Sequence, residues 1–157
     1  MVDRVKNKIA LVTGAAQGLG KTMSELLIQE GAQVILTDIN EDLLEKTATE
    51  LDAPFKVLDV TEPEAWQNVI AEIEKDYGKL HVLINNAGIL TPTSLEDIDE
   101  ETWDSHFEVN TKGVLLMCQS VLPHMREKKS GRIINIASIA GRQGSPTQGH
   151  YASTKSA

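Results

Sequence analysis

The sequence predicts a doubly wound α/β domain built on a parallel sheet, and three observations carry that prediction. Short continuous apolar runs alternate with amphipathic stretches along all 157 residues. The runs have strand length and the stretches have helical spacing. A glycine-rich turn separates the first run from the first amphipathic stretch. Strands that alternate with helices pair in parallel through right-handed crossovers.

The first run, residues 9–13, suits a strand buried on both faces. Leu19, Met23, Leu26 and Leu27 follow at helical spacing, and Gly31 stands where a glycine ends a helix. The unit then repeats. Residues 33–37 precede a helix near 41–51, and residues 55–58 precede one near 63–77, with Pro63 suited to a first turn. Residues 81–85 make a fourth strand and 132–137 a fifth. Between them a mainly helical stretch, about 99–127, carries Trp103, Phe107, Leu115, Leu116 and Leu122. Ser130-Gly131 reads as a turn into the fifth strand. No linker interrupts the pattern, so residues 1–157 read as one nucleotide-binding domain.

Composition narrows the function. A formal charge of -8 and a pI near 5.0 argue against a nucleic-acid surface. No apolar run approaches the roughly 20 residues of a membrane span, and Met1 to Lys6 lacks the apolar stretch of a leader. A cytoplasmic protein is the expectation. Cys118 is the single cysteine and reads as a buried apolar thiol, while His81, His106, His124 and His150 show no ligand spacing, so no metal is expected.

Between the first strand and its helix lies Thr13-Gly-Ala-Ala-Gln-Gly-Leu-Gly20. There Gly14 can make the tight turn, Gly18 can let backbone approach a pyrophosphate, and Gly20 can allow close helix packing, as in a Rossmann-type fold. Gln17 and Leu19 belong to the same turn. Asp38 ends the second strand, 18 residues after Gly20, where its carboxylate can accept from ribose hydroxyls and repel a 2′-phosphate. With Gln17 in the turn and Ile39 after Asp38, neither basic, the expected cofactor is NAD and NADP is disfavoured. An exposed strand-end aspartate that caps the next helix is the competing reading.

These motifs resemble the short-chain dehydrogenase/reductase family, of which the chain looks like the N-terminal portion. The resemblance extends to Asp59-Val60, Asn85-Asn-Ala-Gly88, Asn110, Ser138 and Tyr151-x-x-x-Lys155, in the family's order and spacing across almost the whole chain. It implies that Asp59 bonds the adenine amino group beside Val60. It also implies that Asn86, Ala87 and Gly88 form the wall next to the adenosine ribose, although tying two backbone segments together is reason enough for Asn86. The catalytic set it implies is Asn110, Ser138, Tyr151 and Lys155, with Tyr151 and Lys155 also contacting cofactor. Asn110 is expected to hold a water that links Lys155 to solvent. The family pattern gives His150 no role, and it reads as a loop residue.

Hydride transfer from an alcohol carbon requires its oxygen to lose a proton at nearly the same time, hence a base. An ordinary phenol near pKa 10 is only about 0.1% ionised at pH 7. Favouring phenolate by about 3 units takes roughly 4 kcal/mol, and one nearby cation supplies about 1–3 units. Lys155, four residues on and on the same helical face, together with oxidised nicotinamide is adequate. Ser138 can then bond the substrate oxygen. Taken singly, Ser138 reads equally as a cap and Asn110 as a helix kink.

The expected function is NAD-dependent interconversion of a secondary alcohol and a ketone, with a small-molecule substrate and a homo-oligomeric full-length protein. The alternatives are a non-catalytic nucleotide-binding fragment and a 3-oxoacyl-carrier-protein reductase. Family members usually continue into further strands and a substrate loop, which are absent from this chain. Two turns from Tyr151 are marginal as an isolated helix, and the fifth strand is expected to leave an open sheet edge. Residues 89–95 and 139–150, largely small or polar, point toward a small or hydroxylated substrate.

Overall fold

The computed structural model describes residues 3–157; Met1 and Val2, part of the N-terminal segment that lacks a leader's apolar stretch, lie outside them. Five strands, β1 (Ile9–Thr13), β2 (Gln33–Asp38), β3 (Phe55–Val57), β4 (Val82–Asn85) and β5 (Arg132–Asn135), form one parallel sheet in the order β3-β2-β1-β4-β5. β1 is central, with Ala10 facing Val34 on one side and Val82 on the other. The strand order reverses beside β1, and a crevice outside the carboxyl ends at such a point is where ligands bind in open α/β sheets.

Helices α1 (Gly18–Gln29), α2 (Glu41–Leu51), α3 (Pro63–Tyr77), α4 (Glu100–Phe107), α5 (Gly113–Glu127) and α6 (Gly149–Ser156) complete the layers. One core gathers Leu11, Leu83, Trp66, Met117 and Val121 under α3 and α5; the other gathers Val12, Leu36, Leu44 and Ile84 under α1 and α2. The end of α1 follows from its glycine. Gly31 lies at φ +88, Gly31 N–H donates to Ile28 O at 3.0 Å, and Ala32 N–H donates to Leu27 O at 3.0 Å. That pair of bonds is the Schellman ending. Pro63 occupies the first turn of α3.

Several expectations are corrected. Leu19 and Leu26 face outward, because Gly20 and Ser24 occupy the buried stripe of α1. The stretch expected to be mainly helical is so from Glu100 to Glu127, with a π turn, Glu108–Lys112, joining α4 to α5. Its core face is Met117, Val121 and Met125, while Trp103 and Leu115 are exposed and Trp103 stacks on Phe107 with centroids 4.8 Å apart. Cys118 is only partly buried, and that burial pushes its thiol up from the ordinary value. His150 lies inside α6, fully buried, and is no loop residue. α6 begins at Gly149, two residues before Tyr151, and is not isolated. Asn110 Nδ2 donates to Thr154 Oγ1 at 3.1 Å, Ser156 Oγ to Gly141 O at 2.8 Å, and Thr111 Oγ1 to Thr154 O at 3.3 Å. Tertiary bonds thus supply what a short helix lacks by itself.

Candidate active site

The glycine turn is shaped by backbone that no side chain would allow. Gly14 lies at φ +62, and a Cβ there would stand 2.9 Å from Ala87 Cα. A Cβ on Gly20 would stand 2.0 Å from Gly14 O. Gly18, at φ +57, faces open space at the start of α1, where helix N–H groups favour phosphate. The turn is pinned to β4 by two side chains. Thr13 Oγ1 accepts from Asn86 N at 3.1 Å and Ala87 N at 3.0 Å, and Asn86 Nδ2 donates to Thr13 O at 2.9 Å and Gly14 O at 3.1 Å. Asn86 is therefore a staple, whatever else it touches.

Above the strand ends opens a cavity of about 690 Å³. Gly14, Gln17, Leu19, Asp38, Ile39, Asp59, Val60, Asn86, Ala87 and Gly88 all line it. Leu58, Thr61, Ile89, Ser105, Glu108 and Val109 complete the lining; Ile89 belongs to the segment 89–95 already read for substrate choice, and the others were not singled out as site residues. Asp38 does not cap α2; Asn40 does, accepting from Leu43 N at 3.1 Å. Instead Asp38 Oδ2 accepts from Ala16 N at 3.1 Å and Oδ1 from Asn40 N at 3.0 Å, which aims the carboxylate at the glycine turn. Asp59 Oδ1 accepts from Thr61 N at 2.9 Å and Thr61 Oγ1 at 2.7 Å. The open space at Gly18, the cradle at Gly14 and the cavity volume fit a dinucleotide.

Asn110, Ser138, Tyr151 and Lys155 stand beyond Gly88, outside that lining. Asn110 is buried in the π turn, a device that recurs at functional sites. Its Oδ1 accepts from Ile89 N at 2.8 Å, and its Nδ2 donates to Ile89 O at 2.9 Å as well as to Thr154. Both amide hydrogens are thereby committed to protein. Ser138 Oγ accepts from Ala140 N at 3.2 Å and caps the 3₁₀ turn Ile139–Gly141, so its proton stays available to donate. Lys155 Nζ donates to Ile136 O at 3.0 Å and lies 5.8 Å from the Tyr151 ring centroid. Burial holds the Lys155 ammonium below its ordinary value. A Cβ at Gly88 would meet Asn110 Oδ1 at 3.1 Å and Lys155 Nζ at 3.6 Å, so cavity and tetrad meet at that residue.

Two histidines carry no role in the sequence reading, His106 and His150, and their rings meet edge to face beside Thr91. Their separation of 44 positions gives no pattern to read. Ile89, Leu90, Leu95 and Ile139 are exposed, so the segments 89–95 and 139–150 present more apolar surface than their composition implied. Among the described residues no three metal-ligating side chains cluster, and no helix is long and apolar enough to cross a membrane.

Comparison with known proteins agrees with this geometry. The family model for short chain dehydrogenase matches residues 8–157. A 3-oxoacyl-[acyl-carrier-protein] reductase of Thermotoga maritima is 40% identical over 97% of this chain and 64% of its own length. A cyclopentanol dehydrogenase of Comamonas testosteroni is 40% identical over 99% of this chain and 64% of its own. The chain therefore spans under two thirds of these relatives. A crystal structure of a short chain dehydrogenase from Mycobacterium smegmatis superposes with a TM-score of 0.93 at 34% identity, covering 97% of this chain and 67% of that one.

Proposed function

The chain belongs to the short chain dehydrogenase family, and from that premise we propose that it carries the cofactor cleft and proton-transfer group of an NAD-dependent oxidoreductase that interconverts a secondary alcohol and a ketone. What supports this most is the meeting at Gly88, which lines the cavity while a Cβ there would crowd Asn110 Oδ1 and touch Lys155 Nζ. A nucleotide cleft and a tyrosine-lysine pair share one wall.

In that reading, NAD held along Gly14, Gly18 and Asp38 would supply the acceptor for a hydride, a pair of electrons with its hydrogen, leaving the alcohol carbon. Tyr151 takes the proton from the alcohol oxygen, and the carbon–oxygen bond becomes a carbonyl. Ser138, its Oγ fixed by Ala140 N–H, donates its own hydrogen to that oxygen as charge develops there. Lys155 keeps a positive charge beside the Tyr151 ring, held by the carbonyl of Ile136. The amide of Asn110 has no spare donor, so it cannot donate to a water on the path to solvent. Asp38 makes NAD the favoured cofactor, because a 2′-phosphate would meet its carboxylate.

The exposed apolar side chains at Ile89, Leu90, Leu95 and Ile139 favour a small apolar secondary alcohol over a hydroxylated one. The Comamonas relative, a cyclopentanol dehydrogenase, makes cyclopentanol the first probe. The name of the Thermotoga relative favours a second reading, reduction of a 3-oxoacyl thioester, for which acetoacetyl-coenzyme A with NADPH is the probe. The whole protein is further proposed to be a cytoplasmic homo-oligomer, which light scattering and cell fractionation would measure. Tyr151→Phe tests the central assignment. Turnover should fall by roughly 10²–10⁴-fold with NADH binding retained. Turnover within tenfold of the parent overturns Tyr151 as the base, and NADH binding without turnover of any alcohol or ketone by the parent favours the non-catalytic alternative.

A further inference from the structure

Ile89 and Thr91, in the segment leaving β4, each have both backbone polar groups taken by side chains. For Ile89 the amide of Asn110 serves both, at 2.8 Å and 2.9 Å. For Thr91 two imidazoles divide the task, and Thr93 Oγ1 adds a second bond to the Thr91 carbonyl at 3.1 Å. His106 Nε2 accepts from Thr91 N–H at 3.1 Å, and His150 Nε2 lies 3.0 Å from Thr91 O. His106 and Asn110 are four residues apart on the continuous helical stretch and share a face. That face clasps the segment from one side, and α6 supplies His150 to close the clasp.

The protonation pattern follows from the bonds. A carbonyl only accepts, so His150 carries its hydrogen on Nε2, and its buried Nδ1 has no partner among the described residues. His106 accepts at Nε2 and therefore carries its hydrogen on Nδ1, 2.7 Å from Thr102 O. The rings are 0% and 1% exposed and meet at 86° with centroids 4.2 Å apart. An apolar ring at 150 would avoid the unpartnered Nδ1, but it would leave the Thr91 carbonyl without this donor.

Tyr151 follows His150 directly. Its carbonyl accepts from Thr154 Oγ1 at 2.7 Å, and that oxygen accepts in turn from Asn110 Nδ2. The backbone of Tyr151 is thus tied on both sides to groups that hold Ile89 and Thr91. We propose that His106 and His150 are positioning residues, which keep the turn bearing Tyr151 and the Ile89–Thr91 wall in one frame for proton transfer. The inference rests on the reading of Tyr151 as the proton-transfer group. A displacement of about 1 Å is enough to cost on the order of 100-fold in rate.

Four measurements test it. In the unaltered protein, imidazole ¹⁵N resonances should show His150 protonated at Nε2 and His106 at Nδ1; an Nδ1–H tautomer at His150 overturns the proposal. His150→Phe keeps the ring contact and removes the donor. With NAD and cyclopentanol, its kcat should fall roughly 10- to 100-fold, while NADH affinity and stoichiometry stay within about twofold, and His150→Gln should recover part of the loss. A kcat within about threefold of the parent, or a loss of NADH stoichiometry in step with kcat, overturns it. In His106→Phe the Thr91 amide should exchange with solvent faster while Ile89 remains protected; equal acceleration of both overturns it. Should the unaltered protein turn over no alcohol or ketone, the activity reading fails, and the tautomers and the Thr91 exchange alone decide the positioning role.

Discussion

The two halves of the sheet are held by different forces. β1 and β2 are buried along nearly their whole length, and the turn between β1 and α1 is fixed by contacts too close for any side chain. β5 is largely exposed, and the two buried residues of α6, His150 and Thr154, are both polar. Behind β4 lies the core under α3 and α5, but the margin formed by β5 and α6 is held by side chains reaching backbone: Asn110 to Ile89, His150 to Thr91, Lys155 to Ile136 and Ser156 to Gly141. Folding energy shapes the cofactor cleft directly, whereas the chemical groups are held by bonds whose loss loosens the site without emptying a core. Damage to the first half should therefore remove binding and stability together, and damage to the second should remove turnover first.

The largest effect is expected at Gly20. In Gly20→Ala the new methyl is placed 2.0 Å from Gly14 O, a backbone atom that cannot swing aside. Overpacking of that kind costs about 3 kcal/mol, or roughly 10 °C of melting temperature for a chain of this size. NADH binding should disappear with it. A variant that melts with the parent and still binds NADH would break the comparison at its firmest point. Asn110→Ala is the counterpart. It removes the bonds to Ile89 and Thr154, so turnover should fall about 100-fold with NADH affinity changed by less than about threefold. Equal losses of affinity and turnover would mean that the two halves are not separable.

The same division explains what was legible in the sequence. The first three strands, α2 and α3 follow from apolar periodicity and end signals, since burial is what those patterns encode. Gly14, Gly18 and Gly20 were legible because only glycine meets those backbone demands. In the other half the π turn at Glu108–Lys112 left no periodic mark, and the apolar residues at Trp103 and Leu115 pointed outward. Asn110 and Ser138 were singled out through family resemblance, Tyr151 and Lys155 also through their spacing of four on one helical face. His106 and His150 were read there without a role, because a side chain that binds distant backbone leaves no spacing to read.

Asp38 sharpens the comparison from within the packed half, as a polar contact set in an apolar frame. Its carboxylate receives Ala16 N–H and Asn40 N–H, so Asp38→Ala removes a tie on the glycine turn together with the proposed acceptor for ribose. A charge-assisted bond contributes about 1.5–3 kcal/mol, so NADH should bind roughly tenfold more weakly. The NADPH to NADH preference should rise as the repulsion of a 2′-phosphate goes. An unchanged cofactor ratio would remove Asp38 from cofactor choice and leave it a turn residue.

The smallest expected effect lies on the seam between the halves, at His81. Its N–H donates to Ile9 O at 2.9 Å, its Nδ1 accepts from Ile9 N–H at 3.0 Å, and its carbonyl accepts from Arg132 N–H at 2.9 Å. One residue thus fastens the starts of β1, β4 and β5. Burial, helped by Lys79 and Lys8, pushes the imidazole below its ordinary 6.5. The unfolded chain takes up the proton near that ordinary value and the folded chain only at lower pH. Between the two the unfolded state binds more protons, so stability falls as pH falls, and above the ordinary value His81 adds no pH dependence. Protonation also removes the lone pair that accepts from Ile9. Urea midpoints measured from about pH 7.5 to about pH 5 should therefore decline, and His81→Gln should flatten part of that decline. The Ile9 amide, at the join, should lose exchange protection in acid before Leu11 does. An acid slope identical in parent and variant would show that the seam is held by its backbone bonds alone.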